Sequence, residues 1–209
     1  MSRPALTRLG ALIASCALTL YAGAAPGQPA APRPRTASLA GQLLVATPEM
    51  GDPRFAETVI YMVKHDATGA QGLVLNRPLG EISLSTLLEQ MGMEGEGANG
   101  SIRVHVGGPV EGLRAFVLHT ADYAAEGTLI VKDGFAMTWD PEILRAMAAG
   151  KGPRRSLFAV GYAGWAPGQL EAEMRSGGWV RAAADEALLF DTDYDSKWQR
   201  AMARRKIDL

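Results

Sequence analysis

Ser156 to Tyr162 is a mostly apolar run with no polar residue alternating through it. A strand with one wet face alternates apolar and polar side chains, so this run fits a strand covered on both faces, at the centre of a sheet. That constrains the rest of the chain: other strands must flank the run, and further layers must cover it. The chain has the material, since 47% of its 209 residues are hydrophobic and 21% charged, an ordinary globular balance. About 170 residues follow the first forty, roughly enough to bury two-thirds of the unfolded surface in one domain. Cys16 is the only cysteine, so neither an intrachain disulfide nor a thiolate metal cluster holds the fold together.

The flanking elements can be read from turn chemistry and periodicity. Leu43 to Thr47 is a short strand stopped by Pro48, with Gly51-Asp52-Pro53 as a tight loop. Thr58 to His65 and Gly72 to Leu75, broken by Asp66-Ala67-Thr68-Gly69, form a hairpin signature. Ser83 precedes Leu84, Leu87, Leu88 and Met91, all on one helical face, and Gly92 ends that helix. Ile102 to Val106, Ala115 to His119 and Thr128 to Val131 read as strands, and Asp140-Pro141 opens a helix through Met147. Pro167 to Arg175 is helical, Ala187 to Phe190 a short strand, and Asp195 starts a last helix in which Trp198, Met202 and Arg205 share a face. Interleaved strands and helices with hairpins among them predict a mixed sheet with helices packed against it, in a single α+β domain over residues 40–209.

The first residues carry a different pattern. Met1 to Arg8 is short and basic, Leu9 to Tyr21 apolar, and Ala22-Gly23-Ala24 small, the three-part order of a secretory signal over residues 1–24. The apolar run is too short to span a membrane. Residues 25–39, with prolines 26, 29, 32 and 34, read as an extended linker. Export is the expectation this pattern favours; the alternative is a cytoplasmic domain whose start lies further downstream. Ile13-Ala14-Ser15-Cys16 has the outline of a lipidation motif, but the apolar run continues past Cys16, which weighs against it.

The formal charge of −1 conceals an asymmetry: residues 1–40 hold four arginines and no acid, so residues 41–209 carry all 22 acids against 21 − 4 = 17 bases, about −5. A mildly acidic domain repels nucleic-acid phosphate, and direct nucleic-acid binding is not expected.

Five stretches, in order, carry a family resemblance. They are Gln42-Leu43-Leu44-Val45-Ala46-Thr47-Pro48 with Asp52-Pro53-Arg54-Phe55; Gly72-Leu73-Val74-Leu75-Asn76-Arg77-Pro78; Gly107-Gly108-Pro109-Val110; Gly161-Tyr162-Ala163-Gly164-Trp165; and Gly168-Gln169-Leu170-Glu171. Together they resemble the YqgE/AlgH family of bacterial proteins over essentially all of residues 40–209. The resemblance implies a bent, partly barrel-like mixed sheet. It brings no catalytic residues with it, and a role in transcriptional regulation is attached to some members without a recognised DNA-binding motif. The presequence departs from the family pattern, in which the domain starts near the N-terminus and is taken to be cytoplasmic.

Candidate ligand groups are few. Asn76 and Arg77 end a strand, where ligand groups collect in open sheets, and arginine offers a planar fork for an anion; the alternative is a turn closed by Asn76, with Arg77 paired to an acid. His105, beside Gly107 and Gly108 and on one side of a strand with Arg103, would suit a carboxylate or phosphate, or else belongs to an exposed polar face. Tyr162, Gly164 and Trp165 lie between a predicted strand and a helix, where free N–H groups hold anions, unless the glycines serve a close-packed turn.

Familiar catalytic patterns fail. His65, His105 and His119 have no metal-ligand spacing, no serine sits in a Gly-x-Ser-x-Gly elbow, and no thiol lies in the domain. Asp191, Asp193 and Asp195 alternate like a calcium loop but meet Ser196 and Met202 where glycine and a bidentate acid belong, so capping the last helix is their expected role. Arg200, Arg204, Arg205 and Lys206 suit that helix's negative end. No motif calls for a cofactor or metal. The expectation is a non-enzymatic binding or regulatory module acting on a small anionic ligand or a protein partner. The alternative is an enzyme whose site assembles from Asn76, Arg77, His105 and His119.

Overall fold

The computed structural model describes residues 37–132 and 134–206. The expected signal segment, Cys16 and the Pro/Ala-rich segment up to residue 36 lie outside the described residues. Ten strands form one curled half-barrel sheet: β1 (Gln42–Ala46), β2 (Val59–Asp66), β3 (Gly69–Val74), β4 (Pro78–Ser83), β5 (Ser101–Val106), β6 (Val110–Thr120), β7 (Thr128–Lys132), β8 (Phe135–Thr138), β9 (Ser156–Trp165) and β10 (Trp179–Ala183). Five helices pack against it: α1 (Leu84–Gln90), α2 (Glu142–Ala148), α3 (Gln169–Arg175), α4 (Glu186–Phe190) and α5 (Tyr194–Ala203). The strand order is β10-β1-β2-β3-β9-β6-β8-β7, with β4 on β5 and β5 parallel to β9; every other pairing is antiparallel. The sheet is therefore mixed by a single parallel pairing.

β9 is central, as its unbroken apolar run requires. Leu157 and Ala159 face an inner core with Tyr61, Phe116 and Leu118, closed by Leu188, Leu189 and Phe190 of α4 and Ala201 of α5. Phe158 faces the opposite way, into a cluster with Leu84, Leu87 and Leu88 of α1 and Ile143 and Leu144 of α2. Further along, Ala163 and Trp165 face a third cluster under Leu170 of α3. Each fully buried large side chain contributes roughly 1.5–3 kcal/mol over its exposed state, so the two-sided burial of β9 anchors the sheet.

One edge of β9 carries β5 at residues 158–160 and β3 at residues 163–165; the other carries β6. β5 and β6 are nonetheless joined by only Gly107-Gly108-Pro109, so that link passes over the backbone of β9. Contact is so close that a Cβ on Gly107 would stand 2.2 Å from the Gly161 carbonyl oxygen, and one on Gly108 2.1 Å from the Tyr162 carbonyl carbon. Gly161, at φ +72°, is held just as tightly, since a Cβ there would stand 2.5 Å from Gly108 O. Glycine is required at all three positions because backbone meets backbone there.

Several expected elements change. Ala187 to Phe190 belongs to α4 rather than to a strand: Asp185 caps it by accepting from Leu188 N (2.8 Å), and a short apolar run cannot by itself separate a strand from a buried helical turn. Gly161 to Trp165 continues β9 rather than forming a loop before a helix. Strands β4, β8 and β10 are additions. The first contains Pro78 and Gly80, compatible with an edge position; the others are four and five residues long. The last helix is capped by Asp193, whose side chain accepts from Ser196 N, one residue before its first turn.

Candidate functional site

The segment between β1 and β2 builds one wall of a groove. Asp52 caps a 3-10 turn over Pro53–Phe55, accepting from Arg54 N at 3.0 Å and pairing with its guanidinium at 2.6 Å. The Phe55 ring packs edge-on against Trp179, centroids 5.5 Å apart. Asn76 and Arg77, at the end of β3, hold the far end of this segment. Asn76 Oδ1 accepts from Val59 N (3.0 Å) while its Nδ2 donates to Glu57 O (2.8 Å). Arg77 donates to Ala56 O at 2.5 Å and, among the described residues, pairs with no acid. Asn76 thus closes the turn, and the Arg77 fork stays exposed with donors to spare.

Two cavities flank this wall, and a third adjoins the larger of them. One of about 260 Å³ has an apolar floor of Phe55, Val74, Val106 and Pro109 and two guanidiniums, Arg54 and Arg77, at its border. A second, about 600 Å³, runs between the same wall and α3 over Trp165 and Trp179. A third, about 310 Å³, lies over Lys64, Gln71, Tyr162 and Gly164. In the second, Glu173 organises the floor: its Oε2 accepts from Trp165 Nε1 (2.9 Å) and Trp179 Nε1 (2.8 Å), and its Oε1 from Gln169 Nε2 (2.9 Å). All five family-like stretches contribute to this region. The first, second and third line the arginine-bordered cavity. Gly164, Trp165 and Gln169 of the fourth and fifth line the larger one.

The sequence-predicted residues divide between this region and the core. Gly107, Gly108 and Tyr162 stand at the backbone crossing, and Gly164 and Trp165 pair with Gln71 and Ala70 of β3. Tyr162, Gly164 and Trp165 thus lie within strand β9 rather than in a loop, and Gly107 N donates to Val160 O at 2.8 Å. His105 is buried at 2% exposure rather than on an open polar face. Its Nδ1–H donates to Phe158 O (3.1 Å), its Nε2 has no hydrogen-bond partner among the described residues, and its ring lies 5.3 Å from that of Tyr194. Arg103 pairs with Glu81 at 2.5 Å. His119 is also buried, donating from Nδ1–H to Thr120 O and accepting at Nε2 from Thr138 Oγ1, both at 2.8 Å.

Desolvation pushes the pKa of both histidines below the usual value, so both are neutral. They do not meet. His105 lies opposite Ala159, on the inner face of β9, whereas His119 lies opposite Ser156, on the face that carries Phe158. Sheet alternation puts them on opposite faces, and neither joins Asn76 and Arg77 at the groove. Among the described residues no group of three or more His, Cys, Asp or Glu could hold a metal ion, and no helix is long and apolar enough to cross a membrane.

Several C-terminal charges are matched to one another. Asp191 pairs with the fully buried Lys197 (3.0 Å) and with Arg200 (2.5 Å), and Arg204 pairs with Asp185. Burial lowers the Lys197 pKa, while its ammonium is held by Leu188 O at 2.7 Å and Asp191 O at 3.1 Å. What sequence reading did not single out as site residues are Arg54, Phe55, Glu173 and Trp179. Arg54 and Phe55 were visible as a family-like motif, but Trp179 and Glu173 reach the groove only through the fold.

Comparison with known proteins places this architecture. A family model described as AlgH-like matches residues 43–209. A UPF0301 protein of Rhodospirillum rubrum is 49% identical over 170 residues, covering 81% of this chain and 88% of that protein. One of Caulobacter vibrioides is 49% identical over 168 residues, covering 79% and 86%. The solution structure of AlgH from Pseudomonas aeruginosa, 41% identical, superposes with a TM-score of 0.70 over 80% of this chain and 89% of that one. A crystal structure from Corynebacterium diphtheriae, 20% identical with a TM-score of 0.62 over 80% and 87%, shares the fold. The chain belongs to the AlgH-like, UPF0301 family of bacterial proteins.

Proposed function

We propose that this protein is a non-catalytic binding module whose ligand is a small molecule with an apolar body and one anionic group, held in the cavity bordered by Arg54 and Arg77. The observation that carries the reading is Arg77 itself: an exposed guanidinium with no acid partner among the described residues, beside an apolar floor of Phe55, Val74, Val106 and Pro109. An apolar body gains by leaving water in such a cavity, and the planar fork accepts a carboxylate or phosphate in two parallel hydrogen bonds. Among the described residues, those lining this cavity include no histidine and no carboxylate, which favours binding over catalysis.

Calorimetric titration with octanoate, octanol and octylamine tests the charge and the apolar body separately. Octanoate is expected to bind at least tenfold more tightly than the other two, and Arg77→Ala to remove that preference. Equal binding of all three, or an Arg77→Ala variant that binds octanoate normally, overturns the assignment. So does turnover in a broad hydrolase or phosphatase screen that disappears in Arg77→Ala.

A further inference from the structure

The larger cavities meet at a gap in the sheet. Ala163, Gly164 and Trp165 of β9 pair with Gly72, Gln71 and Ala70 of β3 along one edge. Along the other edge β6 reaches no further than Val110 opposite Tyr162, so among the described residues these three have no strand beside them. The Trp165 carbonyl faces β3, since a Cβ on Gly69 would stand 2.3 Å from it. Backbone groups of successive residues in an antiparallel pair point to opposite edges, so the N–H and C=O of Gly164 face the gap. Gly164 is exposed.

This edge differs from the outer edges at β10 and β7. The outer edge of β10 is closed by an Ala182–Arg205 bridge and by Lys206 N donating to Arg181 O at 2.8 Å. β7 is broken by a register shift and ends on Lys132. Both are devices that discourage strand addition. The gap beside β9 has neither, and the second and third cavities open on its two sides, sharing Val110, Gly164 and Trp165.

We propose that this gap docks an extended segment of a partner protein as an added strand, and that the segment carries a lysine or arginine for the larger cavity. A strand laid along β9 sends alternate side chains to opposite faces, one into each cavity. On the Trp165 face, the cavity offers Phe55, Met50 and two indoles to a long aliphatic stem. Three carboxylates, Glu49, Asp52 and Glu173, line it against one guanidinium, Arg54, which Asp52 already engages. Glu49 is exposed and makes no salt bridge among the described residues, so the excess negative charge lies where a cationic head would arrive. On the other face Lys64 is matched by Asp66 at 3.4 Å and by Thr68 at 3.0 Å, leaving a polar cavity for a short hydroxyl side chain. With one residue's main-chain pair and two small pockets filled, the contact belongs to the weak, transient class.

The test uses the full-length ¹⁵N-labelled protein and a nine-residue peptide, blocked at both ends, of alternating threonine and valine around a central lysine. Binding is expected to shift the Gly164 amide and slow its hydrogen exchange at least threefold. Replacing the central lysine by glutamate is expected to weaken binding at least tenfold, and Glu49→Lys to reverse that order of preference. Gly164→Pro removes the N–H that faces the gap and is expected to abolish binding. Should that variant fail to fold, N-methylation of the peptide's central residues interrogates the same hydrogen bonds from the other side.

The proposal is overturned if the two peptides bind alike to the unaltered chain and to Glu49→Lys, or if N-methylation changes nothing. It is overturned equally if no peptide binds at millimolar concentration, or if Gly164 shifts with protein concentration alone, which would assign the edge to a second copy of this chain. Arg77→Ala is expected to leave peptide binding unchanged, and Glu49→Lys to leave octanoate binding unchanged, so each proposal can fail without the other.

Discussion

The indole rings of Trp165 and Trp179, from β9 and β10, stand edge to face with centroids 5.9 Å apart and an interplanar angle of 82°, and both donate to the same oxygen of Glu173. One carboxylate on α3 thereby ties together two strands far apart in the sheet order and sets the floor of the groove cavity of about 600 Å³. Removing it by Glu173→Ala leaves two mostly buried indole N–H groups to find water. Loss of about 2–6 kcal/mol is expected, at roughly 1–3 kcal/mol for each unmet donor. Urea unfolding monitored by tryptophan fluorescence measures it, with Glu173→Gln, which keeps one acceptor oxygen, falling between the two.

The crossing of Gly107-Gly108 over Gly161-Tyr162 makes a sharper prediction, because the atoms in the way are backbone and cannot swing aside. Gly108→Ala is expected to cost more than about 3 kcal/mol, beyond ordinary overpacking, or to prevent folding. Gly112→Ala, where a Cβ meets nothing within 4 Å, is expected to be within about 0.5 kcal/mol of the parent. If thermal melts of the two variants coincide, the crossing does not have the stated geometry.

Asn76 supports the groove wall by satisfying one donor and one acceptor of the chain between Glu57 and Val59. Glu57 itself sits at φ +54°, a conformation that needs such support. Asn76→Ala is expected to destabilise the protein by about 1–2 kcal/mol and to speed amide exchange at Val59. Retained protection at Val59 would assign that N–H to another acceptor.

Acid stability follows from the two buried histidines. Their pKa values lie below that of an unfolded histidine because burial disfavours the charged ring, so the unfolded state takes up protons first as pH falls. Stability is therefore expected to be level above about pH 7.5 and to decline as pH drops through the unfolded histidine pKa of about 6.5. Replacing His105, whose Nε2 has no hydrogen-bond partner among the described residues, by leucine is expected to flatten that decline in urea midpoints measured between pH 7.5 and 5.5. An unchanged slope would place the titration elsewhere.

Much of this architecture was legible beforehand. The apolar run of β9 announced a central strand, the Thr58 to Leu75 pattern a hairpin, and Ser83 with Leu84, Leu87 and Leu88 a capped amphipathic helix; all three depend on local periodicity and capping, which a sequence carries. Ala187 to Phe190 was misread because a short buried helix and a buried strand expose the same apolar residues to the reader. Gly161 to Trp165 resembled a loop because glycine marks turns and close backbone approach alike, and only the neighbouring chain distinguishes them.

The site was less legible. Arg77 and Asn76 were visible as polar residues at a strand end, yet their different duties, one bound into a turn and one left with free donors, depend on where the chain at Ala56 and Glu57 happens to lie. Sequence left His105 and His119 free to meet in one site, whereas strand register sends them to opposite faces, a distinction that pairing makes and composition cannot. By itself the sequence determined the central strand β9, the β2–β3 hairpin and the capped helix α1, because those choices rest on local spacing and capping. Only the tertiary structure decided which glycines carry a crossing, that Glu173 joins Trp165 to Trp179, and that β9 keeps an open edge at Gly164, since each depends on residues brought together from distant parts of the chain.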